Sequence, residues 1–181
     1  SKILKESNDL RWRIEHAQCV SAEDISIFSQ YNIIPSVQPT HATSDFSWAI
    51  LRLGKKRLLS CYQYYSLFKQ NKLIALGTDF PVEEINPINT FYAAVFRKNS
   101  SGNPIEGFQK NQALTRMEAI KGMTIWAALS NFEENEKGSL EIGKFADMVV
   151  LNKDLFTEKQ SEILNTKVLK TIVNGEVVYS D

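Results

Sequence analysis

The chain repeats one unit three times: a short strand that ends on a polar residue, followed by a helix. Trp12-Arg13-Ile14-Glu15 runs into His16, and a helix is expected after it with Ser21 as N-cap. Glu23 and Asp24 stand in its first turn, where the helix dipole favours acids, and Ile25, Ile27, Phe28 and Tyr31 are its apolar positions. Ile33 to Val37 is the second strand, closed by Gln38-Pro39. It is apolar enough for burial on both faces, although Pro35 removes a ladder donor. Leu73 to Leu76 is the third, running into Gly77-Thr78-Asp79-Phe80-Pro81-Val82. Alternating strands and helices imply parallel strands joined by helical crossovers. Three strands cannot close a barrel, so the unit is either a small open sheet or a piece of a larger one.

Between the second and third strands, residues 40–56 read as a long connection with a short helix around Trp48 to Leu53, stopped by Gly54. A helix carrying Leu58, Leu59, Tyr62, Tyr65 and Phe68 follows. Past the third strand, Asn86-Pro87 opens a helix by cap and N1 proline. Gly102 to Lys110 reads as a surface loop. Thr115-Arg116-Met117-Glu118 is a capping box, and the helix it opens carries Ile120, Met123, Trp126 and Ala127. From Gly138 the texture changes to short strands, Met148 to Leu151 and then Val168 to Val173. Asn174-Gly175 joins the last of these to Val177–Tyr179 as a type I′ hairpin signal. The expected division is 1–137, a barrel-like α/β portion, and 138–181, a small β portion.

Charge narrows the function classes. Lys plus Arg and Asp plus Glu both number 21, which leaves no basic footprint for nucleic acid or an anionic membrane. No apolar run approaches the roughly 20 residues that span a bilayer. The start, Ser1-Lys2-Ile3-Leu4-Lys5-Glu6, has no signal-peptide pattern and no initiator Met, so a gene product extending upstream is expected. Cys19 and Cys61 lack a CxxC spacing, and two thiols do not make a disulfide framework; both are expected buried and reduced. A cytoplasmic location is the matching expectation.

In α/β barrels the chemistry stands at the C-terminal ends of the strands. His16, Gln38 with His41 just beyond it, and Asp79 occupy that position on three successive strands. Each has a plain alternative. His16 could bond a neighbouring carbonyl, Asp79 could cap the turn after it, and His41 could be a solvated loop histidine. Glu15 alternates away from His16 along its strand. Catalytic zinc takes three or more N, O or S ligands plus an open position. His16 and Asp79 supply two, the chain has two histidines in all and no His-x-His pair, so a complete zinc site is not expected from this chain alone. Walker A, Gly-x-Gly-x-x-Gly, Gly-x-Ser-x-Gly and His-Glu-x-x-His motifs are absent.

In order and spacing, Arg13-Ile14-Glu15-His16-Ala17-Gln18, Gln38-Pro39 and Gly77 to Val82 resemble the last three barrel strands of amidohydrolases. The subgroup they are most similar to contains the N-substituted formamide deformylases and YtcJ-like proteins. The likeness continues through Pro87, Ala94, Arg97, the Thr115–Glu118 box, Lys137 to Leu151 and Val173-Asn174-Gly175. It implies the C-terminal portion, about three βα units, of a TIM-like (β/α)8 metal-dependent hydrolase barrel with a small C-terminal β-sandwich portion. It further implies His16 and Asp79 as metal ligands, Asp79 as the catalytic base, and a divalent metal, zinc first; Gln38 and His41, at the same rim, are expected as substrate contacts. Asp147, in the segment leading to the β portion, reads as structural. The family's remaining ligands would lie upstream of Ser1, and a whole barrel takes about 250 residues. The resemblance therefore implies a truncated hydrolase of amide-type C–N bonds, inactive alone. The alternative is a non-catalytic interaction or assembly module. Bare edges on the first and third strands would favour a homo-oligomer.

Overall fold

A computed structural model describes residues 8–181. Its first sheet is parallel, in the order β1 (Arg13–Glu15), β2 (Ile34–Val37), β3 (Ala75–Leu76). Proline is accommodated in the central strand by register. Ile34 donates its N–H to Trp12 O at 2.8 Å, towards β1, so the next residue, Pro35, turns its nitrogen towards β3. Pairing with β3 begins only at Ser36 opposite Ala75, so the missing donor falls where the neighbour has not yet started. β1 and β3 each have one strand neighbour among the described residues.

Helices cover this sheet on the way between strands: α1 (Ile25–Gln30), α2 (Pro39–Leu58), α3 (Tyr64–Asn71), α4 (Pro87–Phe96), α5 (Arg116–Met123) and α6 (Ile125–Ser130). Three expectations of helix extent need correction. The regular first helix begins at Ile25, one turn later than expected, and Ser21 caps the turn before it: its hydroxyl accepts the Asp24 N–H at 3.3 Å and donates to Asp24 Oδ2 at 2.8 Å, and its carbonyl accepts the Ile25 N–H at 3.2 Å. The helix expected around Trp48 to Leu53 is present but starts much earlier: α2 begins directly at Pro39, using proline where its missing N–H is no loss. Gly54 does break it, at φ 71°, ψ 161°. The helix drawn through Leu58, Leu59, Tyr62 and Phe68 is interrupted, with Leu59 74% exposed and Tyr62 at φ 57°, and α3 begins afresh at Tyr64.

The local signals fare well. Asn86 Oδ1 accepts the Ile88 N–H at 3.0 Å. The Thr115–Glu118 box closes in both directions, with Glu118 N–H on Thr115 Oγ1 at 3.2 Å and Thr115 N–H on Glu118 Oε2 at 2.7 Å. The helix it opens is cut at Thr124 (φ −127°, ψ −97°) into α5 and α6. Gly122 lets α5 lie against β3, since a Cβ there would stand 2.7 Å from Leu76 Cγ.

Val37, Leu67, Ile74, Phe91 and Tyr64 form the centre of the core. Arg97 is fully buried among them, donating to Phe108 O at 2.8 Å and Tyr62 O at 3.2 Å, with its guanidinium over the Tyr64 ring. Burial lowers its pKa to about 10.

The second sheet is antiparallel, β4 (Met148–Leu151), β5 (Val168–Val173), β6 (Glu176–Ser180), with α7 (Gln160–Ile163) between β4 and β5. Asn174 and Gly175 both take positive φ, 51° and 83°, as the hairpin signal requires. Asp147 Oδ1 accepts the Asn174 N–H at 2.7 Å and so holds that turn. These three strands form one layer; a facing second layer is not found among the described residues.

The cysteines overturn an expectation. Cys19 and Cys61 are joined, and Cys19 is exposed. The physical reason is a contact that the linear spacing hides. The segments after β1 and before α3 run antiparallel, with Val20 N–H on Ser60 O at 2.9 Å and Tyr62 N–H on Gln18 O at 2.6 Å. That pairing sets the two cysteines directly opposite each other.

Candidate metal centre

His16 follows β1 at φ 66°, and Asp79 follows β3 at φ 59°. A left-handed backbone is uncommon for residues with a Cβ and tends to collect at functional sites. Here it turns both side chains out of their strand directions and over the C-terminal rim of the sheet. His41 arrives differently, from the first turn of α2.

The three converge. His41 Nε2 is 3.8 Å from Asp79 Oδ2, and His16 Nδ1 is 3.9 Å from the same oxygen. The imidazoles stack at 5.9 Å between centroids, 17° from parallel. One ligand atom from each residue lies within 4.8 Å of the others. His16 is half exposed, Asp79 less so, and His41 almost buried. Gln38, 7% exposed, sets its Oε1 3.0 Å from His16 Nδ1 and so orients that ring. Glu83 stands 4.0 Å from His41 Nε2 and accepts the Ser44 hydroxyl at 2.7 Å.

Two of the plain alternatives are now decided. The Asp79 carboxylate takes no N–H from its own turn; Phe80 N–H goes to Thr78 Oγ1, and Val82 N–H goes to the Asp79 carbonyl. His41 is not a solvated loop residue. Its Nε2 is buried with no hydrogen-bond partner. A buried nitrogen left unpaired is costly and asks for a ligand. Two imidazoles and a carboxylate match the donor set that zinc accepts, and their spread is comparable with the roughly 3.3 Å between neighbouring ligands of a tetrahedral ion. The residues present therefore fit a divalent metal.

Sequence reasoning counted two ligands, His16 and Asp79, and placed His41 among substrate contacts on a loop. The loop placement is overturned, since His41 stands in the first turn of α2, and the signal that could have shown it was Pro39, a helix N1 proline two residues before it. Glu83 was missed altogether, and no sequence pattern marks it. Glu15 turns away as expected, its carboxylate 2.9 Å from Arg13 Nε.

Side chains gathered at the C-terminal ends of three successive parallel strands stand where α/β barrels carry their chemistry. The chain belongs to the amidohydrolase family, whose model matches residues 4–179. The putative amidohydrolase YtcJ of Bacillus subtilis is 32% identical over 92% of this chain and 32% of its own length. The N-substituted formamide deformylase of Arthrobacter pascens is 30% identical over 98% of this chain and 32% of its own. Among solved structures, an uncharacterised metal-dependent hydrolase from Pyrococcus horikoshii superposes with a TM-score of 0.72 at 29% identity, covering 84% of this chain and 31% of that one. The chain thus spans about a third of the length of the curated relatives it matches.

Proposed function

We propose that this chain supplies part of the active centre of a metal-dependent amidohydrolase that hydrolyses an amide-type C–N bond, other than a peptide bond, in a small molecule. The observation that carries the reading is the buried, unpaired His41 Nε2 facing Asp79, with His16 on the same carboxylate oxygen. A bound divalent ion, zinc first, would supply Lewis acidity that brings the ionisation of water towards neutral pH. His16, His41 and Asp79 would hold it. Asp79 would take a proton from the attacking water and pass it to the leaving nitrogen. Gln38 holds the His16 ring through Nδ1 in the metal-free chain and would give up that bond if Nδ1 took the ion, and His41 and Gln38 line the side from which substrate would enter.

The catalytic protein on this reading is longer than the present chain. Support comes from the three-stranded parallel sheet, the single-layered β portion and the one-third coverage of its relatives. The 181 residues alone are expected to bind metal while turning over little or no amide. A non-catalytic assembly module is the competing reading. Calorimetric titration of the full chain with Zn2+ separates them: one equivalent bound in the micromolar range supports the hydrolase reading, and no binding up to millimolar Zn2+ sinks it. A cytoplasmic location belongs to the same reading. It stands against the Cys19–Cys61 bond, because cytosolic pools keep thiols reduced.

Self-association is part of the proposal, because β1 and β3 each have one strand neighbour among the described residues. Ile14 on β1 and Trp12 just before it are 45% and 51% exposed. Light scattering at micromolar concentration is expected to give a dimer or larger species. A strictly monomeric mass would count against edge pairing.

A further inference from the structure

The two imidazoles of the metal cluster stand on different elements, and a carboxylate outside the cluster ties those elements together. Asp45 lies one turn beyond His41 on α2, four residues along and on the same side of the helix. Its Oδ2 accepts Gln18 Nε2–H at 2.9 Å and the Tyr62 hydroxyl at 2.9 Å, and Gln18 Nε2 is 3.0 Å from the Tyr62 oxygen. Gln18 is two residues past His16, on a turn where His16 and Ala17 both take left-handed conformations, φ 66° and 37°. A backbone of this kind persists only when its surroundings hold it. Gln18 is held twice: its side chain by Asp45, and its carbonyl by the Tyr62 N–H. Tyr62 is itself anchored in the core at 1% exposure. Burial pushes its phenol up to about 12, so at neutral pH it is a donor.

We propose that Asp45 is a positioning residue for the metal centre. Through Gln18 and Tyr62 it fixes the His16 turn against the helix of His41, and thereby sets the spacing of the two imidazoles. Hydrogen bonds to a carboxylate are the stronger kind, which suits a brace. Supporting residues outside the ligand set commonly govern metal affinity by tenfold to a hundredfold. The proposal rests on the metal reading for one of its two readouts only.

The test uses the full chain. With two histidines in the sequence, histidine-selective labelling gives two imidazole signals and no others. In metal-free protein, cross-relaxation between the two rings is expected in the wild type and lost in Asp45→Ala. Asp45→Asn, which keeps an acceptor oxygen, should retain it. In a Co2+ titration followed by visible absorption, Asp45→Ala should bind about tenfold or more weakly, and Asp45→Asn close to wild type. A folded Asp45→Ala that keeps both the ring contact and the Co2+ affinity overturns the proposal. If Asp45→Ala does not fold, Gln18→Met decides, since it removes the Nε2 donor and keeps the bulk; an unchanged ring contact there overturns the proposal equally. If the wild type takes up no Co2+, the metal reading falls, while the ring contact still decides whether Asp45 positions the histidines.

Discussion

Reduction of the Cys19–Cys61 bond is expected to lower the stability of the folded chain by about 4 kcal/mol. The bond closes a loop with a sequence separation of 42. A cross-link over such a loop removes denatured-state entropy worth about that amount in the chain-entropy treatment. For a chain of this size each kcal/mol moves the melting temperature by roughly 2–4 °C, so the midpoint should fall by about 8–16 °C. Thermal melts with and without a phosphine reductant measure it, and a Cys19→Ser/Cys61→Ala double variant should melt like the reduced protein. Identical curves for oxidised and reduced chain would show that the bond contributes nothing in solution. The expected loss is larger than that from an ordinary surface contact, because it acts on the unfolded ensemble and not only on local packing.

The second large effect concerns Asp79. Removing its carboxylate in Asp79→Ala takes away the one oxygen that both imidazoles face. Sites with four ligands bind zinc with about 10–16 kcal/mol, so a single ligand accounts for roughly 3–4 kcal/mol, or on the order of a hundredfold to a thousandfold in affinity. Zn2+ titration of the variant is the measurement. Asp79→Asn is the informative companion. It keeps an oxygen near the imidazoles and cannot accept the proton, so metal affinity should fall less than hydrolysis in any catalytically competent form of the protein. Wild-type affinity in Asp79→Ala would remove Asp79 from the metal site.

Features encoded by neighbours in the chain were legible beforehand. Asn86-Pro87, the Thr115–Glu118 box and Asn174-Gly175 each act within four residues, so the spacing carries the geometry. The strand ends at His16 and Asp79 were legible for the same reason. The misreadings share one cause, which is dependence on remote partners. Residues 40–47 look polar enough for an irregular connection, yet α2 already runs through them because Ala42, Thr43 and, further on, Ala49 are buried. The cysteines meet only through the contact between residues 18–20 and 60–62. Pro39 marks a helix start just before His41, but that this helix sets His41 beside Asp79 depends on how α2 packs, which no local pattern reports.

The disulfide also divides the candidate centre topologically. His41, with Gln38 and all of β2, rides inside the covalent ring closed at Cys19 and Cys61, whereas His16 and Asp79 lie outside it. The exposed basic stretch Lys55-Lys56-Arg57, just past the Gly54 break, is the natural place for trypsin to enter. A cut there leaves the oxidised chain as one covalent molecule that carries all three residues, and only a thiol reagent releases the two pieces. Nicking and ring opening are thus separable events, and the cluster should survive the first without the second.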